Sequence, residues 1–171
     1  MNLRNVLRSS LTTAAVFTAS FAHAGPADSP VPSISATAAT RVLYIVPGVI
    51  KNNGLESAIM CTSLDSIAGR LAFEVFAPEG GAPLNNVATG VANGAIGIIP
   101  GETVTISTGT SVGLHEDLTI TGMTNVKNGS ARILGTSTRI LCTGLVVDKL
   151  GTTPNTIATL KIFARHKQNG D

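Results

Sequence analysis

The chain has 171 residues, of which 43% are hydrophobic, 13% are charged and only 4% are aromatic. Its twelve basic residues include Arg4 and Arg8 in the N-terminal segment, so the rest of the chain carries ten basic and ten acidic residues and has no global basic field for nucleic acid or anionic lipid. With no tryptophan and one tyrosine, the chain also lacks the aromatic rings on which carbohydrate-binding and single-strand-binding proteins stack their ligands.

The N-terminal segment 1–24 has the features of a secretory signal peptide. Two arginines precede a modestly apolar stretch, Leu11–Ala22, which is too short to span a bilayer. Ala22 and Ala24 supply small side chains at the two positions that signal peptidase requires, which predicts cleavage after Ala24. We therefore expect an extracytoplasmic protein, periplasmic or secreted, that does not insert into a membrane.

Three segments follow the predicted signal peptide. Residues 25–40 are rich in Pro, Ser, Ala and Thr, a composition typical of a flexible leader. Residues 41–165 are expected to fold as one β domain, since their number suits a single hydrophobic core. Residues 166–171 form a polar tail.

Alternation of apolar and polar residues runs through the predicted domain and indicates strands. In the segment 69–77, for example, Leu71, Phe73 and Val75 fall on one face of the strand. Such alternation is typical of antiparallel sheets with one solvated face. The predicted strands are 41–50, 56–64, 69–77, 95–99, 102–108, 117–122, 130–135, 139–148 and 156–164. Turn residues separate them, among them Pro100-Gly101 and Lys127–Gly129.

The two cysteines, Cys61 and Cys142, both fall within predicted apolar strands. Two thiols in an oxidising compartment usually pair, and cysteines that face inward from two packed sheets would bridge the core. A nucleophilic cysteine needs a base and a cationic neighbour, and a metal site needs further ligands at suitable spacing. We therefore favour one intersheet disulfide, with a nucleophile or a metal ligand as the alternatives.

Three stretches of the predicted domain resemble the immunoglobulin-like and fibronectin-type modules of secreted bacterial proteins. GRLAFEVFAPEGG resembles a third strand that ends in a glycine turn, and IIPGETVTI resembles the proline-glycine corner before a middle strand. SARILGTSTRILCTGLVVD resembles a hairpin that leads into the strand with the second cysteine. The resemblance implies an all-β, immunoglobulin-like antiparallel β-sandwich of about seven to nine strands. It implies no activity, because sandwiches carry many functions.

The best candidate for chemistry is the run His115, Glu116 and Asp117. An imidazole beside two carboxylates could bind a divalent metal or act in acid–base catalysis. Because neighbouring strand residues point to opposite faces, the three side chains converge only if they lie in a loop, and a plain polar connection is favoured. No nucleotide-binding loop and no GxSxG motif is present in the sequence, so we expect no catalytic residue and no cofactor.

Two functions follow from these observations. The favoured one is a secreted, non-catalytic structural or protein-binding module that acts through a protein partner or through self-association. The alternative is a small extracytoplasmic metal-binding or metalloenzyme domain that uses His115 with Glu116 and Asp117, together with His166.

Overall fold

The computed structural model describes residues 24–89, 93–111, 113–151 and 157–165. Within these ranges the chain is all β, and all of its strand pairings are antiparallel except that of β5 with β6. The strands are β1 (Arg41–Asn52), β2 (Leu55–Ser63), β3 (Gly69–Phe76), β4 (Ala95–Ile98), β5 (Thr103–Ser107), β6 (Leu118–Thr119), β7 (Val126–Gly135), β8 (Ile140–Asp148), β9 (Ile157–Leu160) and β10 (Phe163–Ala164). The predicted signal peptide up to residue 23 and the polar tail lie outside the described residues.

Each strand predicted from the sequence is present, with somewhat different ends. The last one, predicted at 156–164, is divided into β9 and β10, which brings the strands in the described ranges to ten instead of the predicted seven to nine. The division has a topological reason, because β9 pairs with β8 whereas β10 pairs with β1. Across the described part of the chain, no helix is long and apolar enough to cross a membrane.

The strands form one continuous sheet that folds over a core and comes near to closing as a barrel. One half of the sheet has the order β4-β3-β7-β1, and the other has the order β9-β8-β2-β5-β6. The β1–β2 hairpin joins the two halves on one side. The chain also passes between the halves after β9, since β9 pairs with β8 in one half and β10 pairs with β1 in the other. On the other side, β4 and β6 are the edge strands of the two halves.

The core lies between the two halves, where the predicted inward residues meet. Leu71, Phe73 and Val75 of β3 are all buried in it, as the alternation predicts. Ile59 and Cys61 of β2 face them from the other half. The apolar set supplied by alternate strand positions therefore forms one cluster that holds the halves together.

The disulfide between Cys61 and Cys142 is present, but the prediction that it joins two sheets is wrong. The two residues lie directly opposite each other on the neighbouring strands β2 and β8, with their Cα atoms 4.1 Å apart. Directly opposite residues project from the same face of a sheet, and here that face is the core side, where Cys61 is 2% exposed. A separate contact links the halves nearby: the Tyr44 hydroxyl on β1 donates to the carbonyl of Ile140 over 2.5 Å.

The segment 25–40, predicted to be a flexible leader, packs instead on the outer face of β3 and β7. Ile34 is fully buried in a small apolar cluster with Ala72, Val87 and Leu134. The carbonyls of Ser29 and Pro30 accept hydrogen bonds from Arg132 on β7. Composition suggested a solvated segment because it is poor in large apolar residues, but one isoleucine and two backbone carbonyls attach it to the sheet.

Candidate functional site

The strand β2 changes partners along one of its edges, and this creates a fork in the sheet. Glu56, near the start of β2, pairs with Lys51 at the end of β1. Further along the same edge, Ala58 to Thr62 pair with β5 instead, because β1 diverges toward the other half of the sheet. The other edge of β2 pairs with β8 throughout. At the fork, backbone N–H and C=O groups near Ser57 have no partner in a regular strand ladder and need other hydrogen-bonding groups.

Side-chain hydroxyls supply those partners at the fork. The backbone N–H of Ser57 donates to Thr108 Oγ1 over 2.9 Å, and the same hydroxyl donates to the carbonyl of Ile50 on β1 over 2.9 Å. In return, the N–H of Ile50 donates to Ser57 Oγ over 2.9 Å. Two small hydroxyl side chains thus connect β1, β2 and the residue after β5.

Glu56 is the unusual group at this fork. It is fully buried, and in the part of the chain that the structure describes no donor reaches either of its carboxylate oxygens. Ala58 and Val147, which share its face of the sheet, are also 0% exposed. Gly109 lies directly against the carboxylate, since a Cβ added there would be 2.5 Å from Glu56 Oε2. A buried carboxylate without donors is costly when ionised, so this arrangement needs a chemical explanation.

Glu116 is the acidic neighbour that perturbs Glu56, since its hydrogen bond and its charge both contribute to raising the pKa of the Glu56 carboxyl. It belongs to the β5–β6 connection, whose described parts are residues 108–111 and 113–117. Glu116 Oε1 accepts a hydrogen bond from the N–H of Ser111 over 2.8 Å, and Oε2 accepts one from the hydroxyl of Thr119 over 3.4 Å. Glu116 therefore ties both ends of the connection to the place where Glu56 is buried.

The electrostatics of the pair favour a protonated Glu56. Burial, followed by the hydrogen bond and the repulsion from Glu116, raises the pKa of Glu56 to about 8. Lys149 and Lys51 attract the carboxylate and oppose this rise. Two carboxyl groups can form a hydrogen bond with each other only when one of them carries a proton. At neutral pH Glu56 is therefore a carboxylic acid.

The structure brings together two of the three residues predicted to bind a metal. His115 Nε2 lies 3.2 Å from Asp117 Oδ1, with the imidazole almost fully exposed. Asp117 Oδ2 accepts a hydrogen bond from the N–H of Thr105 over 2.7 Å. Glu116, between them in sequence, accepts its hydrogen bonds from Ser111 and Thr119 instead, and the described residues contain no group of three His, Cys, Asp or Glu side chains placed to hold a metal. His166 lies outside the described residues.

A second buried charge that the sequence analysis missed is Arg132 on the outer face of β7. Its Nε donates to Glu74 Oε2 over 2.5 Å, and its two terminal nitrogens donate to the carbonyls of Ser29 and Pro30 over 2.6 Å each. The guanidinium also lies over the Phe76 ring, 5.5 Å from its centroid. A signal was present in the sequence, because Glu74 and Arg132 each interrupt an apolar strand at an outward position.

A cleft of about 340 Å³ lies beside this ion pair and is lined by Glu74, Pro83, Leu84, Asn85 and Asn86. The carboxylate of Glu74 and the side-chain amide of Asn85, the polar groups in this cleft that could bind a ligand, already have partners. Glu74 binds Arg132, and the amide of Asn85 exchanges hydrogen bonds with the backbone of Val75 and Phe73 on β3. The cleft is therefore a by-product of the loop that covers β3, and its polar groups have structural roles.

Four large apolar side chains are exposed at one end of the molecule, and we call this surface the apolar end. It consists of Leu64, Ile67, Ile99 and Leu141, which are 49%, 69%, 59% and 60% exposed. Backbone hydrogen bonds hold this end together. The N–H of Leu64 donates to the carbonyl of Arg139, and the N–H of Ser63 donates to the carbonyl of Glu102, which follows the turn that contains Ile99. Leu141 on β8 lies opposite Thr62 on β2, next to Ser63. An apolar group of this kind on a rigid strand end is typical of a protein-binding surface.

Comparison of the chain with protein-family models, with curated proteins and with solved structures gives no match.

Proposed function

We propose that the chain is an extracytoplasmic, non-catalytic structural module that associates with a second copy of itself through the apolar end. The observation that supports this most directly is the exposure of Leu64, Ile67, Ile99 and Leu141, whose segments meet at one end of the molecule. Burying such side chains in a protein contact is favourable by roughly 25 cal/mol for each Å² of apolar surface removed from water.

A second copy is the partner that the charge balance favours. Cleavage after Ala24 would leave equal numbers of basic and acidic residues, so two copies do not repel each other through net charge. The same balance gives no field that would attract a strongly acidic or basic partner. Two copies present the same apolar end, so each can bury the surface of the other in a two-fold contact.

The disulfide supports an oxidising location for this module. Disulfides persist in secreted and periplasmic proteins and are rare in reducing compartments. The proposal therefore keeps the secretory signal at 1–24 and a periplasmic or extracellular destination. It also keeps the immunoglobulin-like resemblance, whose support is the all-β, mainly antiparallel fold together with the sequence stretches that resemble such modules.

The test is the mass in solution of the secreted protein at increasing concentration, measured by light scattering after gel filtration. We expect a dimer that dissociates on dilution, and we expect the double variant Ile67→Ser, Ile99→Ser to stay monomeric under the same conditions. Ile157→Ser is the matched control, since Ile157 is similarly exposed, at 56%, but lies on β9.

A wild-type protein that stays monomeric at all concentrations would overturn self-association. If the secreted protein instead co-purifies with another host protein, and the double variant does not, the apolar end has a heterologous partner and the proposed second copy is wrong. Intact mass before and after reduction tests the other half of the proposal. The expected mass is that of residues 25–171 with both thiols oxidised, and a retained N-terminal segment would contradict it.

A further inference from the structure

The segment 25–34, which we call the arm, fills a groove on the outer face of β3 and β7. The floor of the groove consists of side chains that lie directly opposite each other on these strands, Ala72 with Leu134 and Glu74 with Arg132. No residue of the arm belongs to a strand, so the arm is not bound as an addition to the sheet. The groove therefore holds the arm as it would hold a separate peptide.

The groove recognises two features of the arm. Arg132 donates to the carbonyls of Ser29 and Pro30 over 2.6 Å each, and hydrogen bonds from a charged donor are stronger than those between neutral groups. Ile34 is fully buried in a pocket of three apolar side chains, Ala72, Val87 and Leu134. The arginine binds main-chain carbonyls, which any side chain leaves available, whereas the pocket selects an apolar side chain of the size of isoleucine.

The composition of the arm suits a peptide ligand. Pro30 and Pro32 flank Val31, whose side chain is 43% exposed. Proline restricts the unbound chain to extended conformations, so less entropy is lost when the arm binds. Proline also has no N–H that would need a partner in the groove. A Pro-X-Pro segment followed by an isoleucine is therefore the class of ligand that this groove accepts.

The residues after the arm form a turn whose hydrogen bonds are local. The N–H groups of Thr37 and Ala38 donate to Ser35 Oγ over 3.2 Å each. The N–H of Ile34 donates to Thr40 Oγ1 over 3.0 Å. Because these bonds lie within one short stretch before β1, the turn can open without disturbing the strands, and opening it lets the arm reach a neighbouring molecule.

We propose that the groove is a binding site for the arm of a second copy of the chain, so that two molecules exchange arms at high protein concentration. The structure shows the groove holding this sequence, and both copies present the same arm and the same groove, so exchange restores each contact in trans. It also leaves no buried Arg132 without acceptors. The proposal rests on the proposed function only for the cleavage after Ala24, which gives the arm a free end, and it does not use the apolar end.

The first test mixes two single variants of the secreted protein, Ser33→Cys and Thr89→Cys, each with its native disulfide intact. The N–H of Thr89 donates to the carbonyl of Ser33 over 2.7 Å, and both residues are exposed. A short bismaleimide therefore links the two positions where an arm lies in a groove. We expect links between copies to be at least about tenfold more abundant than in a control mixture of Ser33→Cys with Ile157→Cys. A yield no higher than that of the control overturns arm exchange.

Two further measurements separate this result from the proposed function. Intact mass, taken before mixing, shows whether both variants begin at Gly25, so a failure of cleavage is seen by itself. The same mixture is repeated with Ile67→Ser and Ile99→Ser present in both variants. The link should persist there, because the groove lies away from the apolar end; its loss would contradict a separate site.

The second test measures binding of a fluorescent synthetic peptide of residues 25–40 to the intact protein. The peptide should bind the Ile34→Ala protein at least about tenfold more tightly than the wild type, since a weakened arm competes less for its own groove. Val31→Ala in the protein is the matched control at an exposed position of the arm, and it should leave the affinity unchanged. Equal affinity for the wild type and for Ile34→Ala would contradict the proposal.

The two tests together also identify the occupant. If the peptide binds as expected but no link forms between copies, the groove takes its ligand from another protein and the proposed second copy is wrong. The mixing test substitutes exposed residues only, so it decides the question if Ile34→Ala does not fold.

Discussion

Arg132 on β7 and Glu74 on β3 lie directly opposite each other on the outer face of the sheet, and their charged groups are in contact although both side chains are almost fully buried. Arg132 also binds the carbonyls of Ser29 and Pro30, so all three nitrogens of the guanidinium have acceptors. The attachment of the segment 25–40 therefore depends on the same side chain that neutralises Glu74. Despite the ion pair, burial keeps the pKa of Glu74 above its ordinary value.

Arg132→Met should destabilise the protein by about 3–5 kcal/mol, because it leaves a buried carboxylate without its counter-charge. The double variant Arg132→Met, Glu74→Met should recover much of that loss, since no uncompensated charge remains. Urea denaturation of the single and double variants is the measurement, with the exposed Arg70→Met as control. A double variant as unstable as the single one would show that the hydrogen bonds to the segment 25–40, and not the charge of Glu74, account for the loss.

Ile34→Ala should cost about 2–5 kcal/mol, the range for a large-to-small change in a core, because Ile34 is fully buried against Ala72 and Leu134. Val31→Ala is the matched control in the same segment: Val31 is 43% exposed, and an exposed change of this kind is expected to stay within about 0.5 kcal/mol. Limited proteolysis of the segment gives an independent readout. If cleavage within 25–40 is as fast in the wild type as in Ile34→Ala, the segment is not held by this contact.

Replacing both cysteines by alanine should lower the free energy of unfolding by about 2–5 kcal/mol. The bridge closes a chain segment with a sequence separation of 81, so its loss restores many conformations to the unfolded chain. The measurement is denaturation with and without a reductant. The wild type should lose stability on reduction, whereas the double variant should not respond; a wild type indifferent to reductant would show that the bridge contributes nothing to stability.

Gly129→Ala should destabilise the protein by about 1–3 kcal/mol, as for other overpacked sites. A Cβ at Gly129 would lie 2.4 Å from Val126 Cγ1 and 2.6 Å from the carbonyl oxygen of Phe76, which is backbone and cannot rotate away. Gly97→Ala on β4 is the control, since nothing lies within 4 Å of its added Cβ. Thermal unfolding of the two variants should separate them clearly, and equal melting temperatures would contradict the tight packing at β7.

Stability should fall as pH rises through the neutral range. The pKa of Glu56 is about 8 in the folded protein, against an ordinary value of 4.5, so between these values the folded chain holds a proton that the unfolded chain has released. The contribution of this group is complete below the lower value and is lost as pH rises to the upper one, with a slope of about 1.4 kcal/mol per pH unit. Urea denaturation across that range should show the slope in the wild type but not in Glu56→Gln. Parallel profiles would assign the pH dependence to other groups.

The strands were predictable from the sequence because alternation is a local property. Leu71, Phe73 and Val75 needed only their own spacing to be placed in the core. The turn predicted at Lys127–Gly129 was wrong for a non-local reason: these residues lie within β7, where Gly129 pairs with Val49 at an irregular register. Pairing of Gly129 with β1, next to the stretch 130–135 that pairs with both β1 and β3, outweighs the turn preference of asparagine and glycine at that point.

The candidate site was predictable only in part. The sequence singled out Glu116, but as a metal ligand beside His115, whereas its carboxyl accepts hydrogen bonds from Ser111 and Thr119 and contributes to raising the pKa of Glu56. Glu56 carried no local signal, since it stands at the first position of its predicted strand, beside Ser57, and interrupts no apolar run. Its burial depends on Gly109, far along the chain, folding over it. Likewise, the disulfide was predicted from compartment and composition, while the strands that it joins depend on the topology of the whole sheet.

The position of the disulfide also means that oxidation can preserve only one alignment of β2 with β8. A slip of one residue between the strands would turn Cys142 to the opposite face from Cys61, and a slip of two would move it about 7 Å along the strand, beyond the span of a disulfide. Only the native alignment, with the two residues opposite each other, allows the bond to form without moving the backbone. Oxidation during folding therefore selects correctly paired molecules, and a misaligned chain is left with two free thiols.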